Sequence, residues 1–303
     1  MAINRAQLVK ELEPGLNALF GMEYNRYAEE HKEIFDVESS DRAFEEEVML
    51  SGFGEASVKG EGAGVTYDTA SEAWTSRYQH ETIALAFAIT EEAIEDNLYD
   101  KLSSRYTKAL ARSMRHTKEV KAAAVLNNGF SSSYTGGDGK ELFATDHPLT
   151  SGGSLRNEPS TAADLNETSL ENALIDIAAY VDERGLKVAI NAQKLIIPSQ
   201  LQFVAERLMR SEGRVATADN DINAVRSMGF LPGGYTVNHY LTDSDAWFIK
   251  TDAPNGMKMF NRSPVKTSME GDFETGNVRY KARERYSFGW SDPRAMYGSP
   301  GAA

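Results

Sequence analysis

Between Glu91 and Asn128 the chain runs without a proline or a glycine, and few folds have room for what that allows. Thr90 precedes Glu91 and Glu92, acids suited to the positive end of a helix dipole, and Asn127-Asn128-Gly129 supplies a stop. The stretch predicts one helix of about 38 residues, roughly 55 Å at 1.5 Å per residue. At about 100° per residue, Leu98, Leu102, Tyr106, Ala109, Leu110 and Met114 share one face. Beside it, Lys101, Arg105, Lys108, Arg112 and Arg115 fall within an arc of about 80°. Such a basic stripe is either a solvated face or a contact with an acidic neighbour or enclosed nucleic acid.

The segments before this helix are poor in core-forming material. Residues 1–45 are polar and acidic with scattered anchors, and Pro14-Gly15 and Gly21 argue for helical pieces rather than one long helix. An extended arm is the expectation. Residues 52–64 read GFGEASVKGEGAG, followed by a run rich in Thr, Tyr, Trp and Val, which predicts a long mobile hairpin. GEGAG matches neither GxGxxG nor GxxxxGK[ST] and opens no helix, so a phosphate-cradling role is not supported.

After Gly129 comes a long Gly-, Ser- and Asp-rich stretch containing FATDHP. Thr168 with Glu171 suggests a capping box for a helix that Gly185 ends. VAINAQKLIIP, YTVNHYL, DAWFIK and MKMF read as strands, and Leu201, Val204, Ala205, Leu208 and Met209 as another amphipathic helix. Helix and strand are intermixed, as in an α+β domain. The last strand alternates most clearly: Val278, Tyr280, Ala282, Tyr286, Phe288 and Trp290 face one way, and Arg279, Lys281, Arg283 and Arg285 the other.

Charge and composition exclude several functions. Thirty-two Lys and Arg against 45 Asp and Glu give a net charge of −13, which repels a bare polyanion and argues against general nucleic-acid binding. With no cysteine, thiolate catalysis, disulfide frameworks and Cys-ligated metals are excluded. The longest apolar run, Ile83 to Ile89, is far short of the roughly 20 residues that cross a bilayer, so no membrane partner is expected. None of the five histidines has the spacing that places two imidazoles on one helix face for zinc, so neither a metal nor a cofactor is expected. Asp146-His147 is the most enzyme-like feature, since a carboxylate can orient an imidazole as a base, but no GxSxG elbow accompanies it.

The element order, together with ITEEAIEDN, LFATDHP, LTDSDAWFI and the ending GWSDPR, resembles the major capsid proteins of tailed bacteriophages with the Hong Kong 97 fold. The branch around the Mu-like major head subunit is the one it most resembles. This α+β fold would assign residues 1–50 to an N-terminal arm and 51–82 to an extended E-loop. Residues 83–165 would form the peripheral domain with its spine helix at 91–128, 166–265 the axial domain, and 266–303 the return to the peripheral domain.

The resemblance implies a virion protein, not an enzyme, that forms the hexamers and pentamers of an icosahedral shell around double-stranded DNA, assembled in the host cytoplasm. Its implied partners are further copies of itself, a separate scaffolding protein, a portal protein, a cement protein and packaged DNA met without sequence specificity. Some relatives are cross-linked through a lysine and an asparagine; Lys59 lies in the hairpin, and no partner asparagine stands out. Glu45, Glu46 and Glu47 are the acidic run that the two basic faces would meet across subunits. The competing readings are a hydrolase using Asp146 and His147, or another virion structural subunit.

Overall fold

In the computed structural model of the chain, residues 5–90, 92, 99–213, 221–272 and 276–302 are described, with side chains from 13 onward in the first helix and from 103 onward in the second. Helix α1, Arg5–Tyr24, passes straight through Pro14-Gly15 and Gly21, where breaks were expected. A proline inside a helix costs about 3 kcal/mol. Leu16, Phe20 and Tyr24, spaced by four on one face, outweigh it by packing on Leu110, Ala111 and Met114, at roughly 1.5–3 kcal/mol per large side chain buried.

A 3₁₀ turn at Glu30–Glu33 leads to β1, Asp36–Ser39. Strands β2, Phe44–Leu50, and β3, Glu72–Gln79, pair antiparallel around the loop 51–71. Only His80 separates β3 from β4, Glu81–Ile89. The long helix is α2, Tyr99–Asn127; of its expected start, residues 91 and 93–98 lie outside the described residues. After the short pair β5, His147–Pro148, and β6, Ser154–Leu155, comes α3, Glu167–Ala178. Its cap differs from the expected one. Asn166 accepts from the Ser169 N–H and Ser169 Oγ accepts from the Asn166 N–H, which places Thr168 inside the helix, and the helix ends well before Gly185.

There follow β7, Ala192–Ile197; α4, Gln202–Arg210; α5, Ala224–Met228; β8, Tyr235–Val237; and β9, Trp247–Thr251. The chain closes with β10, Met257–Gly271, β11, Val278–Trp290, and β12, Met296–Ser299. One sheet has the order β1-β10-β11-β4 and a second β12-β9-β7-β8. Two pairings join residues from either side of position 265. Residues 257–265 open the long strand β10 beside β11, and β12 returns to pair with β9. The reason is burial: Met257 and Met259 join the core beneath the first sheet, while Tyr297 packs near Trp247 in the second.

The motifs of the sequence are the joints of this frame. Leu142 and Phe143 of LFATDHP are buried between the end of α2 and both sheets, with Phe143 against Phe130 at 4.7 Å and Phe248 at 5.2 Å between ring centroids. A Cβ on Gly298 would stand 2.8 Å from the Phe143 ring, so the last strand crosses there only as glycine. Arg294 of GWSDPR is buried, donating to the Val181 carbonyl at 2.7 Å and to the carboxylates of Glu183 and Asp292 at 2.5 and 3.1 Å.

Candidate assembly surfaces

The basic stripe of α2 divides on folding. Arg115 is only 3% exposed and is committed within the chain, 2.6 Å from Glu29 and 3.5 Å from Glu119. The helical wheel gave its angle, but α1 and the following turn cover that side of α2. Arg112 reaches Glu23 at 3.5 Å from an exposed position. Arg105 and Lys108 are exposed with no ion pair among the described residues, and the side chain of Lys101 lies outside those described. Only Arg105 and Lys108 of the described stripe are thus open to a partner.

Beneath α1 and α2 lies a polar cluster that the sequence reading missed. Lys118 Nζ lies 2.7 Å from Glu284 and donates to Tyr24 Oη at 2.8 Å, while Tyr24 donates to Glu284 at 3.0 Å. His31 joins through its backbone N–H and Nδ1 to the Glu119 carboxylate, at 2.9 and 2.7 Å. Burial raises the Glu29 carboxyl, yet hydrogen bonds from Lys32 and Arg115 outweigh it and hold the group at about 2. Burial and the neighbouring Glu284 push the Tyr24 hydroxyl well above its usual range. The signal for Glu284 was its register: period 2 puts it between Ala282 and Tyr286 on the covered face, where a carboxylate needs a partner.

On β11 the alternation holds from Val278 to Tyr286. Tyr280, Ala282 and Tyr286 are buried, Arg279, Lys281 and Arg283 exposed, and Arg285 half-buried. Arg279 pairs with Asp272. The acidic run is already engaged at home: Glu45 accepts from Ser40 at 2.6 Å, Glu46 stands 3.8 Å from Arg77 across the hairpin, and Glu47 meets Lys258 and Ser291.

Loop 51–71 is the least covered part of the described chain, with Val58 wholly exposed and Tyr67 93% exposed. It carries no strand of its own. Gly54 N–H donates to Asp68 at 2.7 Å, and Arg184 meets both oxygens of that carboxylate at 3.1 Å, so the loop is tied at its base and bare at its tip.

Asp146 and His147 do not form a pair. Asp146 is exposed and bonds Lys140 at 2.5 Å, whereas His147 is buried, with Nδ1 2.6 Å from Asp138 and Nε2 3.1 Å from Asn157 Oδ1. Successive residues of extended chain point to opposite sides, which separates the two. Both ring nitrogens of His147 are occupied, and no nucleophile lies on them. A groove of about 630 Å³ runs between β3, α2 and β11, but its charged wall residues are ion-paired, Lys121 with Glu81 and Arg77 with Glu46. No group of acids and histidines suited to a metal ion occurs among the described residues.

Comparison with known proteins bears on these surfaces. The sequence profile of the phage capsid protein family matches residues 72–299. The fold is similar to a capsid subunit of a native GTA particle, with TM-score 0.56 and 16% identity, covering 91% of this chain and 92% of that one. The capsid of Myoviridae phage XM1 gives TM-score 0.52 at 12% identity, covering 88% and 89%. A virus-like particle from Pyrococcus furiosus gives 0.51 at 11%, covering 94% and 97%. No curated protein sequence matches.

Proposed function

Because this chain belongs to the phage capsid protein family and has the Hong Kong 97-type α+β fold, we propose that it builds an icosahedral phage shell as hexamers and pentamers around double-stranded DNA. The observation that carries the assembly reading is loop 51–71. Its apolar side chains Phe53, Val58, Val65 and Tyr67 are exposed on a segment with no core of its own, and only a neighbouring molecule can bury them. In this reading the loop is the E-loop, α1 belongs to the N-terminal arm, and α2 is the spine helix of the peripheral domain. The sheet β12-β9-β7-β8 with α3, α4 and α5 forms the axial domain.

LFATDHP and GWSDPR support placement in the Mu-like branch. A separate scaffolding protein, a portal protein and a cement protein are the proposed partners besides further copies of the chain, with packaged DNA met only by proximity. The proposed site of action is the virion, after assembly in the host cytoplasm. No described helix is long and apolar enough to cross a membrane. The proposed role is structural rather than catalytic: the hydrolase reading needs Asp146 to orient His147, and the two are bonded elsewhere.

Electron microscopy of the protein, expressed alone and with its neighbouring genes, tests this function. Closed polyhedral shells are expected. Tubes, or monomers alone under every condition, would overturn it.

A further inference from the structure

The sheet β1-β10-β11-β4 has α1 and α2 on one face, and its other face is divided in two. At the hairpin end it is covered: Tyr78 stands on Phe260 at 4.8 Å, and Lys258 is met by Glu38 at 3.1 Å and by Glu47. His80 marks the boundary, held between Ser40 at 2.9 Å and Ser287 at 3.0 Å.

Beyond His80 the register lays out two parallel rows. On β11 stand Arg285, Arg283 and Lys281; opposite them on β4 stand Thr82, Ala84 and Ala86, small and exposed. On the other side, Ser263 is opposite Arg285 and Lys266 is opposite Arg283. At the bulge between Asn261 and Ser263 stands Arg262; burial lowers the affinity of His80 for a proton, Glu45 acts against that, and the charges of Arg285 and Arg262 add to it.

What sets these cations apart is that they stand together on one sheet face. Arg112, Arg115, Lys118, Lys121, Lys258 and Arg294 all have carboxylate partners. Arg262, Lys266, Lys281, Arg283 and Arg285 have none among the described residues. The Nε atoms of Arg262 and Arg285 are moreover enclosed by protein with no acceptor. Enclosure of Nε holds each guanidinium in place and leaves its terminal nitrogens, which have no acceptor among the described residues either, as the groups a planar two-oxygen acceptor can reach.

We propose that the open half of this face receives an acidic segment of a second copy, one of whose carboxylates bridges Arg262 and Arg285. The proposal rests on the assembly reading above and assigns a surface to it. Three observations select this occupant. The same sheet face already satisfies Lys258 with carboxylates carried on strands, so the covered half shows the chemistry that the open half lacks. The row of small residues on β4 lets a protein segment approach closely, with apolar contact beside the ion pairs. Finally, each copy carries a net charge of −13, which repels a polyanion at long range but makes every neighbouring copy a source of single, placed carboxylates.

The test uses the full-length chain with Arg262→Glu and Arg285→Glu combined, and a second variant with Arg262→Lys and Arg285→Lys. Neither residue has an acceptor in the monomer, so urea unfolding is expected to match the wild type. Shell yield should fall by about tenfold or more in the charge reversal and less in the lysine variant, which keeps the charge but not the two-pronged geometry. A photo-crosslinking residue in place of Lys281 should give a covalent dimer whose crosslinked peptide is acidic.

Wild-type shell yield in the reversal, or crosslinks confined to one chain, would overturn the proposal. Wild-type yield with lost binding of a labelled 30-base-pair duplex would assign the face to nucleic acid instead, and would equally overturn it. If the wild type forms no shells, the assembly reading fails by itself. The crosslink in concentrated solution then decides this surface: a dimer through an acidic peptide supports it, and its absence rejects it.

Discussion

Lys118 and Glu284 meet at 2.7 Å on the covered face of the first sheet, joining the long helix to the penultimate strand at a point where neither residue reaches water freely. Tyr24 bonds both partners, so the first helix is fastened to the same charge pair. Lys118→Met removes one charge and leaves the other buried, which should cost about 3–5 kcal/mol in urea unfolding. Adding Glu284→Leu should recover most of that loss, because the second charge then disappears as well. A double variant no more stable than Lys118→Met would contradict this pairing.

Glu29 gives the fold a defined acid sensitivity. Its folded value of about 2 lies below its ordinary 4.5, so the folded state holds its proton less tightly. The stabilisation is complete above about 4.5 and is lost as pH falls towards 2. Wild type should therefore exceed Glu29→Gln in stability at pH 6, and the gap should narrow at pH 3. Equal gaps at the two pH values would show that Glu29 is not the titrating group.

Asn157 ties three stretches of chain. Its amide donates to the carbonyls of Leu142, Pro293 and Met296 at 2.7, 3.0 and 3.1 Å, and its oxygen accepts from Ala144 N–H at 2.9 Å. Asn157→Ala leaves several buried groups without partners and should cost about 3 kcal/mol or more. Asn157→Asp turns an oxygen towards three carbonyls and should be worse. Thermal unfolding of the two variants side by side tests the order.

Deleting Val58 to Tyr67 removes the bare tip of the loop but not Asp68 or its bond to Arg184. The monomer should unfold as the wild type does, while shells form poorly. Normal, equally stable shells would remove the loop from the assembly contacts.

What the sequence made legible was periodic burial. Tyr280, Ala282 and Tyr286 alternate with Arg279, Lys281 and Arg283 because one strand has one wet face, and no distant information is needed to see it. Leu110 and Met114 mark the long helix in the same way. Partners distant in sequence were not legible. Arg115 reads as part of an exposed stripe until Glu29, far away in the chain, is seen to cover it. Arg262 follows Lys258 and Phe260 in the alternation of β10, but nothing in the sequence sets it beside Arg285, which the strand pairing does. Helix α1 passes Pro14 because of α2, which local propensity does not contain.

The chain from Glu72 to Ile89 has a mechanical consequence. It is extended throughout except at His80, roughly 60 Å of backbone at about 3.3 Å per residue, leading from loop 51–71 into the body. Tension on the loop passes along covalent bonds into β4, whose hydrogen bonds to β11 run across the direction of pull from Glu81 to Ile89. Such a ladder is loaded in shear, with its bonds sharing the force, whereas a hairpin pulled apart from its open end gives way one bond at a time. A grip on the loop is therefore a grip on the strongest direction of the sheet.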